Sequence, residues 1–394
     1  MRTVIRNIGE ALSGDLDTPR LEVDVLEVTD GVISALGGDI DADGADRVID
    51  LRGGTIAPGL VDSHCHVVLG DFTPRQNALG FLSSYVHGGI TRVVSPGEIH
   101  LPGRPHDAEG VKALAIVAQR SWQVERPNGM KVLAGSLVME PSLSEDDFAE
   151  VAASGVRLAK FGFGRYAAPL DGLAHVRAAQ AAGILVTCHS GGASIPGSKP
   201  ITADDLFVLR PDVCGHINGG PTSLSEEGVE RLIRETDMVL QLVQAGCLRS
   251  SLEILEVVRE VGAESRVVVG SDTPTGTGVI PLGVLKTLAE LCSLGGVDPA
   301  TAWAWASGVC ADVYSLTEGR LEIGRPADLC MTDAPWGCQA DDAVGALRRG
   351  DIPAVSVVMI DGDIRVAGSR NTPPPRRAPT IEPPVGELPG SAHV

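Results

Sequence analysis

The middle of the chain alternates short apolar runs with longer amphipathic stretches, and this alternation constrains the fold more than any other feature. Helical patterns such as GLAHVRAAQAAG and SLEILEVVREVGAE end at Gly183 and Gly262, as helix C-caps often do. Strands that alternate with helices form parallel sheets, and eight such units predict an α/β fold with a (β/α)8 TIM-like barrel. The eight apolar runs are LVDSHCH (60–66), TRVVS (91–95), KVLAGSLV (131–138), VRLAKFG (156–162), ILVTCH (184–189), DVCGHI (212–217), MVLQLV (238–243) and RVVVGSD (266–272).

The two ends of the chain carry a different pattern, a period-two alternation bounded by Gly and Asp. This pattern is typical of short antiparallel strands, and Asp361-Gly362 lies between two such runs as a hairpin turn. We therefore predict a small β-sandwich domain built from both ends, and a proline-rich tail that is extended and supplies no strand pairing. The predicted division is a small β domain over 1–56 and 318–370, a barrel over 57–317 and a tail over 371–394.

Bulk composition excludes several classes of partner. The formal net charge of −19 disfavours contact with phosphate backbones and anionic lipid, so neither nucleic acid nor membrane is expected as a partner. The start of the chain lacks a signal-peptide pattern, and the eight cysteines form no CxxC pair. We expect free thiols and a cytoplasmic location. The proline-rich tail and glycine loops favour a homo-oligomer.

Residues able to bind metal stand at the ends of the predicted strands. His64 and His66 are two apart in the first run, so a strand directs both imidazoles to one side. On a barrel, the ends of the other strands face the same rim. Imidazole and carboxylate are ordinary ligands of zinc and similar ions, so this rim is a candidate metal site. The remaining members of the set are His189, His216 and Asp272, which end the fifth, sixth and eighth runs.

Lys160 lies within the fourth run, at a position predicted to be buried in the barrel, where a charged side chain is unfavourable. Desolvation lowers the pKa of a buried lysine toward the neutral amine, which can react with carbon dioxide to give an anionic carbamate. A carbamate has two oxygens and can bridge two metals. The alternative is that Lys160 pairs with a carboxylate on the barrel rim.

These motifs resemble the amidohydrolase superfamily. The resemblance covers nearly the whole chain and includes APGLVDSHCHV (57–67), His189, His216, GSDTP (270–274) and GRLEIGRPADLCMTD (319–333). Further stretches resemble the enamidases within that superfamily, which hydrolyse a cyclic enamide. They are DFTPRQNALGFLSSYVHGGIT (71–91), HLPGRPHDAEGVKALA (100–115), SIPGSKPITADD (194–205), HINGGPTSLS (216–225), GSDTPTGTGVIPLG (270–283) and SRNTPPPRRA (369–378).

The resemblance implies a binuclear metal-dependent hydrolase that cleaves a cyclic amide C–N bond with a metal-activated hydroxide. It implies two divalent ions, with zinc favoured and iron as the alternative in one position. His64, His66 and Asp272 would hold one ion, and His189 and His216 the other. A carboxylated Lys160 would bridge them. Asp272 would also carry the proton from the attacking water to the leaving nitrogen.

Four residues are candidates for binding a small cyclic amide substrate. Arg75 and Arg104 lie in loops expected at the barrel mouth, where a guanidinium could bind a substrate carboxylate through two parallel hydrogen bonds. Asn218, in the HINGGPT loop, and Thr273, next to Asp272, are candidates for contacts with the amide.

The sequence leaves several alternative functions open. Another cyclic amidase, of the hydantoinase or dihydropyrimidinase type, would use the same ligand set. A deaminase of the superfamily usually uses one metal, which Lys160 and the full histidine set disfavour. A non-catalytic relative would have no reason to keep all six ligands, and a phosphotriesterase-type enzyme is disfavoured by the small β domain.

Overall fold

A computed structural model of the protein describes residues 1–219, 223–274, 278–386 and 388. Within those ranges, no helix is both long and apolar enough to cross a bilayer. Residues 220–222 at the end of the HINGGPT loop, residues 275–277 of the GSDTPTGTG segment and most of the last eight residues of the tail lie outside the described residues.

The chain ends form two sheets that share one apolar core. The first sheet has the order β22-β6-β1-β4-β5 and the second the order β21-β20-β19-β7-β2-β3. Ile5 and Leu26 from the first sheet and Ile56 and Met331 from the second are all fully buried in the same cluster. The strands are β1 (Arg2–Arg6), β2 (Glu10–Leu12), β3 (Arg20–Leu21), β4 (Val25–Thr29), β5 (Val32–Leu36), β6 (Arg47–Asp50), β7 (Thr55–Pro58), β19 (Leu329–Asp333), β20 (Ala354–Ile360), β21 (Asp363–Ala367) and β22 (Thr380–Glu382).

Two features of these sheets bear on the sequence predictions. The predicted hairpin is confirmed: β20 and β21 pair antiparallel, and Asp361 and Gly362 have φ of 51° and 78°, the left-handed values that a type I′ turn requires. The prediction that the tail supplies no strand pairing is wrong, because β22 pairs antiparallel with β6. Thr380 and Ile381 are β-branched and favour extended backbone, and they lie in a gap between the prolines.

The middle of the chain contains parallel strands in the predicted order. One sheet has the order β12-β11-β8 and the other runs from β13 to β18 without a change of order. Every paired neighbour in these two sheets is parallel. The strands are β8 (Leu60–Asp62), β11 (Ile90–Val94), β12 (Lys131–Leu133), β13 (Leu137–Val138), β14 (Leu158–Phe161), β15 (Leu185–His189), β16 (Val213–Gly215), β17 (Val239–Val243) and β18 (Val267–Gly270).

The two parallel sheets are linked by a backbone hydrogen bond on one side and by the third predicted strand on the other. The backbone N–H of Ser63 donates to the carbonyl of Val269 at 3.2 Å, which links the end of β8 to β18. The third predicted strand is interrupted between β12 and β13, where Gly135 adopts a left-handed φ of 89°. All eight predicted runs thus contain strands, and the third is divided in two.

Amphipathic helices alternate with the parallel strands along the chain. Helix α7 buries Ile254, Leu255 and Val258 along one face and ends at Gly262, whose φ of 66° gives the expected glycine C-cap. A two-stranded ribbon, β9 (Phe72–Thr73) and β10 (Ala78–Leu79), follows β8. The α-helices are α1 (Phe81–Tyr85), α2 (Ala108–Ser121), α3 (Glu145–Ala153), α4 (Leu173–Ala181), α5 (Ala203–Leu209), α6 (Glu226–Glu235), α7 (Leu248–Val261), α8 (Gly283–Ser293), α9 (Pro299–Trp305), α10 (Gly308–Tyr314) and α11 (Ala343–Arg349).

Candidate metal centre

The first group of predicted ligands converges at the carboxyl ends of β8 and β18. The ligating atoms of His64, His66 and Asp272 all lie within 4.8 Å of one another. Asp272 Oδ1 is 3.1 Å from His66 Nε2 and 3.6 Å from His64 Nε2. Asp272 has a φ of 57°, a left-handed conformation that is uncommon for a non-glycine residue and turns the chain sharply after β18. These three side chains are therefore close enough together to hold one ion.

The second group, His189 and His216, lies beside the first. His189 Nδ1 is 3.1 Å from His216 Nε2, and their ring centroids are 4.8 Å apart. The His216 ring is in turn 5.6 Å from the ring of His64. His189 ends β15 and His216 follows β16, so neighbouring parallel strands deliver both side chains to the same rim. The four histidines therefore form a continuous row.

Lys160 lies below this row, in β14, with 1% of its surface exposed. Its Nζ has no hydrogen-bond partner within the described part of the chain, and no ion pair to it is found there. The expected alternative, a pairing with a rim carboxylate, therefore has no support in these residues. Burial lowers the pKa of Lys160 to about 8, although the charge of Asp272 opposes the shift. A fraction of the side chains is then neutral at physiological pH, as carbamate formation requires.

The burial of the histidines decides their protonation. Desolvation, assisted by the charge of Lys160, lowers the pKa of His64 to about 3. Desolvation also lowers the pKa of His189 to about 4 and that of His216 well below its usual value. For His66, burial acts to lower the pKa, but the hydrogen bond to Asp272 and the charges of Glu98 and Asp272 together outweigh it, so the pKa is raised. Three of the four imidazoles are thus neutral at pH 7, the form that ligates metal.

These residues fit a centre for divalent ions. His64 Nε2 and Lys160 Nζ are buried polar atoms without a hydrogen-bond partner in the described residues, which is costly unless another group satisfies them. Neutral imidazoles and a carboxylate are the donor set that zinc and iron accept. The Nδ1 atom of His66 is 2.5 Å from the carbonyl of Gly97, which leaves its Nε2 directed at Asp272.

The two candidate arginines have different environments. Arg75 is exposed, and its Nη1 lies 2.5 Å from His100 Nε2. The His100 ring is 6.5 Å from the ring of His66, so Arg75 stands one side chain away from the cluster. Arg104 is buried, and its guanidinium donates to Glu140 Oε1 and to the carbonyl of Phe163. Its observed contacts hold loops together.

Asn218 and Thr273 are both buried beside the cluster. The Asn218 amide donates to the carbonyl of Val243 and to Ser251, and its oxygen accepts from the backbone of Val243. Both ends of this amide are thus engaged by the protein. The Thr273 carbonyl accepts from the backbone N–H of His66 at 2.6 Å, which fixes the position of that ligand. The observed contacts of both residues position the loops around the centre.

Sequence reasoning missed two residues that support the ligands. Asp62 Oδ1 accepts from the backbone N–H groups of His64 and Ser271, and so ties together the loops that carry His64 and Asp272. Gln241 Oε1 lies 2.5 Å from His64 Nδ1. Gln241 is a lone polar residue inside an apolar strand, and Asp62 ends β8 two residues before His64; these were the available signals.

Comparison with known proteins identifies the family. No protein-family model matches the chain. The enamidase of Eubacterium barkeri is 44% identical over 383 residues, which cover 96% of this chain and 99% of that protein. The chain belongs to the enamidase family. A crystal structure of enamidase, a member of the amidohydrolase superfamily, superposes with a TM-score of 0.93 over 97% of this chain and 100% of that one. The predicted resemblance and the predicted class, an enamidase-like amidohydrolase, are confirmed.

Weaker similarities link this enamidase-family chain to two other proteins. Adenine deaminase of Deinococcus deserti is 28% identical over 327 residues, which cover 79% of this chain and 53% of that protein. N-acetylglucosamine-6-phosphate deacetylase from Pasteurella multocida superposes with a TM-score of 0.63 at 13% identity. That second likeness concerns the fold alone.

Proposed function

We propose that this protein opens a cyclic amide by hydrolysis of its C–N bond, at a centre that holds two divalent ions. The observation that carries the proposal is the convergence of four histidines, one aspartate and a buried lysine on one rim, where the lysine has no hydrogen-bond partner among the described residues. Membership of the enamidase family supports a cyclic enamide or a related lactam as the substrate class. Zinc is the favoured ion, with iron as the alternative in one position.

Each ion has its own set of ligands in this proposal. His64, His66 and Asp272 would hold one, and His189 with His216 the other. Lys160, as a carbamate, would lie between them. Divalent ions in such a centre supply a nucleophile at neutral pH and polarise the carbonyl of the amide.

Asp272 is the residue that would move the proton. Burial acts to raise the pKa of its carboxyl, but its interactions with the neighbouring His64 and His66 imidazoles hold that pKa well below its usual range. The side chain is therefore an acceptor at neutral pH. One side-chain oxygen would take a proton from the attacking water and deliver it to the amide nitrogen as that nitrogen leaves.

The fold supports this assignment. We propose that the two parallel sheets close into one (β/α)8 barrel over residues 57–317, through the Ser63–Val269 hydrogen bond and across Gly135. The ligands then lie at the carboxyl ends of the strands, where active sites of such barrels are found. Residues 1–56 and 318–370 would form the small β domain, followed by the tail over 371–394.

Metal removal tests the proposal directly. Protein dialysed against a chelator should lose activity on cyclic enamides and lactams, and regain it when about two equivalents of zinc per chain are restored. Elemental analysis of the active protein gives the stoichiometry. Full activity after complete removal of metal, or one ion per chain at full activity, would contradict the two-ion centre.

Arg75 provides a test of the substrate. We propose that its guanidinium binds a carboxylate on the substrate ring. Arg75 is exposed and contacts His100, and the ring of His100 lies 6.5 Å from the ring of His66. Arg75→Met should raise KM for a carboxylated lactam by about tenfold or more, in line with a charged hydrogen bond, and leave a neutral lactam unaffected. Arg249→Met removes an arginine whose side chain is 80% exposed, and serves as the control. Equal effects on both substrates would remove Arg75 from recognition.

A further inference from the structure

Gln241 occupies a position in β17 where neighbouring residues are apolar. Leu240 and Leu242 are fully buried, as is Gln241 itself. A buried amide is costly unless its donors and acceptor are satisfied, and this amide makes contacts on both sides. Its oxygen faces His64, which is 177 positions away in the sequence.

The surroundings of the amide fix its orientation. The Gln241 nitrogen donates to the carbonyl of Ser63 at 2.9 Å and lies 3.1 Å from Ser63 Oγ and 3.2 Å from Tyr314 Oη. The carbonyl of Ser63 can only accept, so the amide nitrogen must be on that side. The amide oxygen must then face His64 Nδ1, at 2.5 Å.

This orientation also fixes the tautomer of His64. An amide oxygen can only accept, so His64 must carry its proton on Nδ1 and donate it to Gln241. The other ring nitrogen, Nε2, then holds a lone pair, and it is the atom 3.6 Å from Asp272 Oδ1. Nε2 is also the nitrogen without a hydrogen-bond partner among the described residues.

We infer that Gln241 is a positioning residue for the first metal: its amide oxygen selects the tautomer and ring orientation in which His64 Nε2 can bind the ion. The inference rests on the proposed metal centre. Outer partners of metal-ligating histidines typically contribute about 10–100-fold to metal affinity. In this proposal the Gln241 amide oxygen accepts the Nδ1 proton of His64, and the lone pair on Nε2 is thereby left to bind the ion. Gln241 itself does not contact the substrate.

Two substitutions separate this role from simple packing. Gln241→Met keeps a similar volume and removes the acceptor, so the affinity of the His64–His66–Asp272 site for zinc should fall by about 10–100-fold. Gln241→Glu replaces the amide with a buried carboxyl group, and burial favours its neutral form. The neutral acid can donate its O–H to the Ser63 carbonyl and accept from His64 Nδ1 with its other oxygen, so this variant should restore most of that affinity. Tyr314→Phe removes only the hydroxyl on the far side of the amide and is the matched control, with an expected change of less than threefold. Zinc affinity is measured by competition with a chromophoric chelator.

The outcomes are distinct. Unchanged affinity in Gln241→Met, or equal weakening in Gln241→Met and Gln241→Glu, overturns the inference while leaving the metal centre intact. A wild-type protein that binds no metal at this site overturns the proposed function instead. If the methionine variant does not fold, ¹⁵N–¹H correlation spectra of the metal-free wild type decide the question. His64 protonated on Nδ1 supports the inference, and protonation on Nε2 overturns it.

Discussion

Replacing Asp272 with asparagine should lower kcat by about 10²–10⁴-fold, the usual contribution of general acid–base catalysis. The amide keeps the size of the carboxylate but cannot accept the proton that the proposed mechanism gives to Asp272. We expect KM to change much less than kcat, because substrate binding does not depend on this proton transfer. Steady-state kinetics on metal-loaded protein, with the metal content of each sample determined, provide the measurement.

A carboxylate at the other end of the strands serves as the control. Asp237 precedes β17, has a fully exposed side chain and is not near the cluster, so Asp237→Asn should leave kcat unchanged. An Asp272→Asn variant with both ions bound and the wild-type rate would remove Asp272 from proton transfer. Loss of the first ion in that variant would show that its role as a ligand dominates.

Replacing Lys160 with methionine should abolish activity and at the same time stabilise the metal-free protein. The activity is lost because methionine cannot form the proposed bridging carbamate. The stability rises because the native state no longer buries an ammonium that lacks a hydrogen-bond partner among the described residues. The pKa of Lys160 falls from 10.5 to about 8 on burial, so the penalty is about 3 kcal/mol. Denaturant unfolding and a hydrolysis assay measure the two effects.

The stability difference between the metal-free wild type and Lys160→Met should depend on pH. A lysine with a lowered pKa destabilises the native state fully below about pH 8, and the penalty disappears as the pH rises toward 10.5. Metal-free wild type should therefore gain stability over that range relative to Lys160→Met. Lys286→Met, which replaces a half-exposed lysine paired with Glu290, should not show the effect. Retained activity in Lys160→Met would contradict the bridge, and equal stability at pH 7 would contradict the penalty.

The sequence predicted the strands and the proximity of the candidate ligands well, because both leave local signals. Each strand is a short apolar run, and most candidate ligands are polar residues at the end of one, as with His189 in ILVTCH. The interruption at Gly135 and the pairing of Thr380–Glu382 with β6 were not predicted. Both depend on backbone geometry and on which distant segment offers a free edge, and neither is visible in a local pattern.

Side-chain partners were the least predictable feature. Arg104 lies in a loop as expected, but it is directed inward by the fully buried carboxylate of Glu140, 36 positions away. Asn218 is likewise turned toward the end of β17. Periodicity shows which face of a strand a residue occupies, but not which of several polar groups it meets. The same limit hid the contact between Gln241 and His64.

The arrangement of β7 has a consequence for how the chain is made. This strand pairs with β2 on one side and with β19 on the other, and residues 59–328 separate it from β19. A ribosome adding about 5–20 residues per second needs roughly ten seconds to a minute to produce that interval. During this time the nascent β7 presents an open edge, which is a site for wrong pairing with other chains. The second sheet can therefore be completed only in the last part of translation, and a chain stopped before residue 329 would leave the edge of β7 exposed permanently.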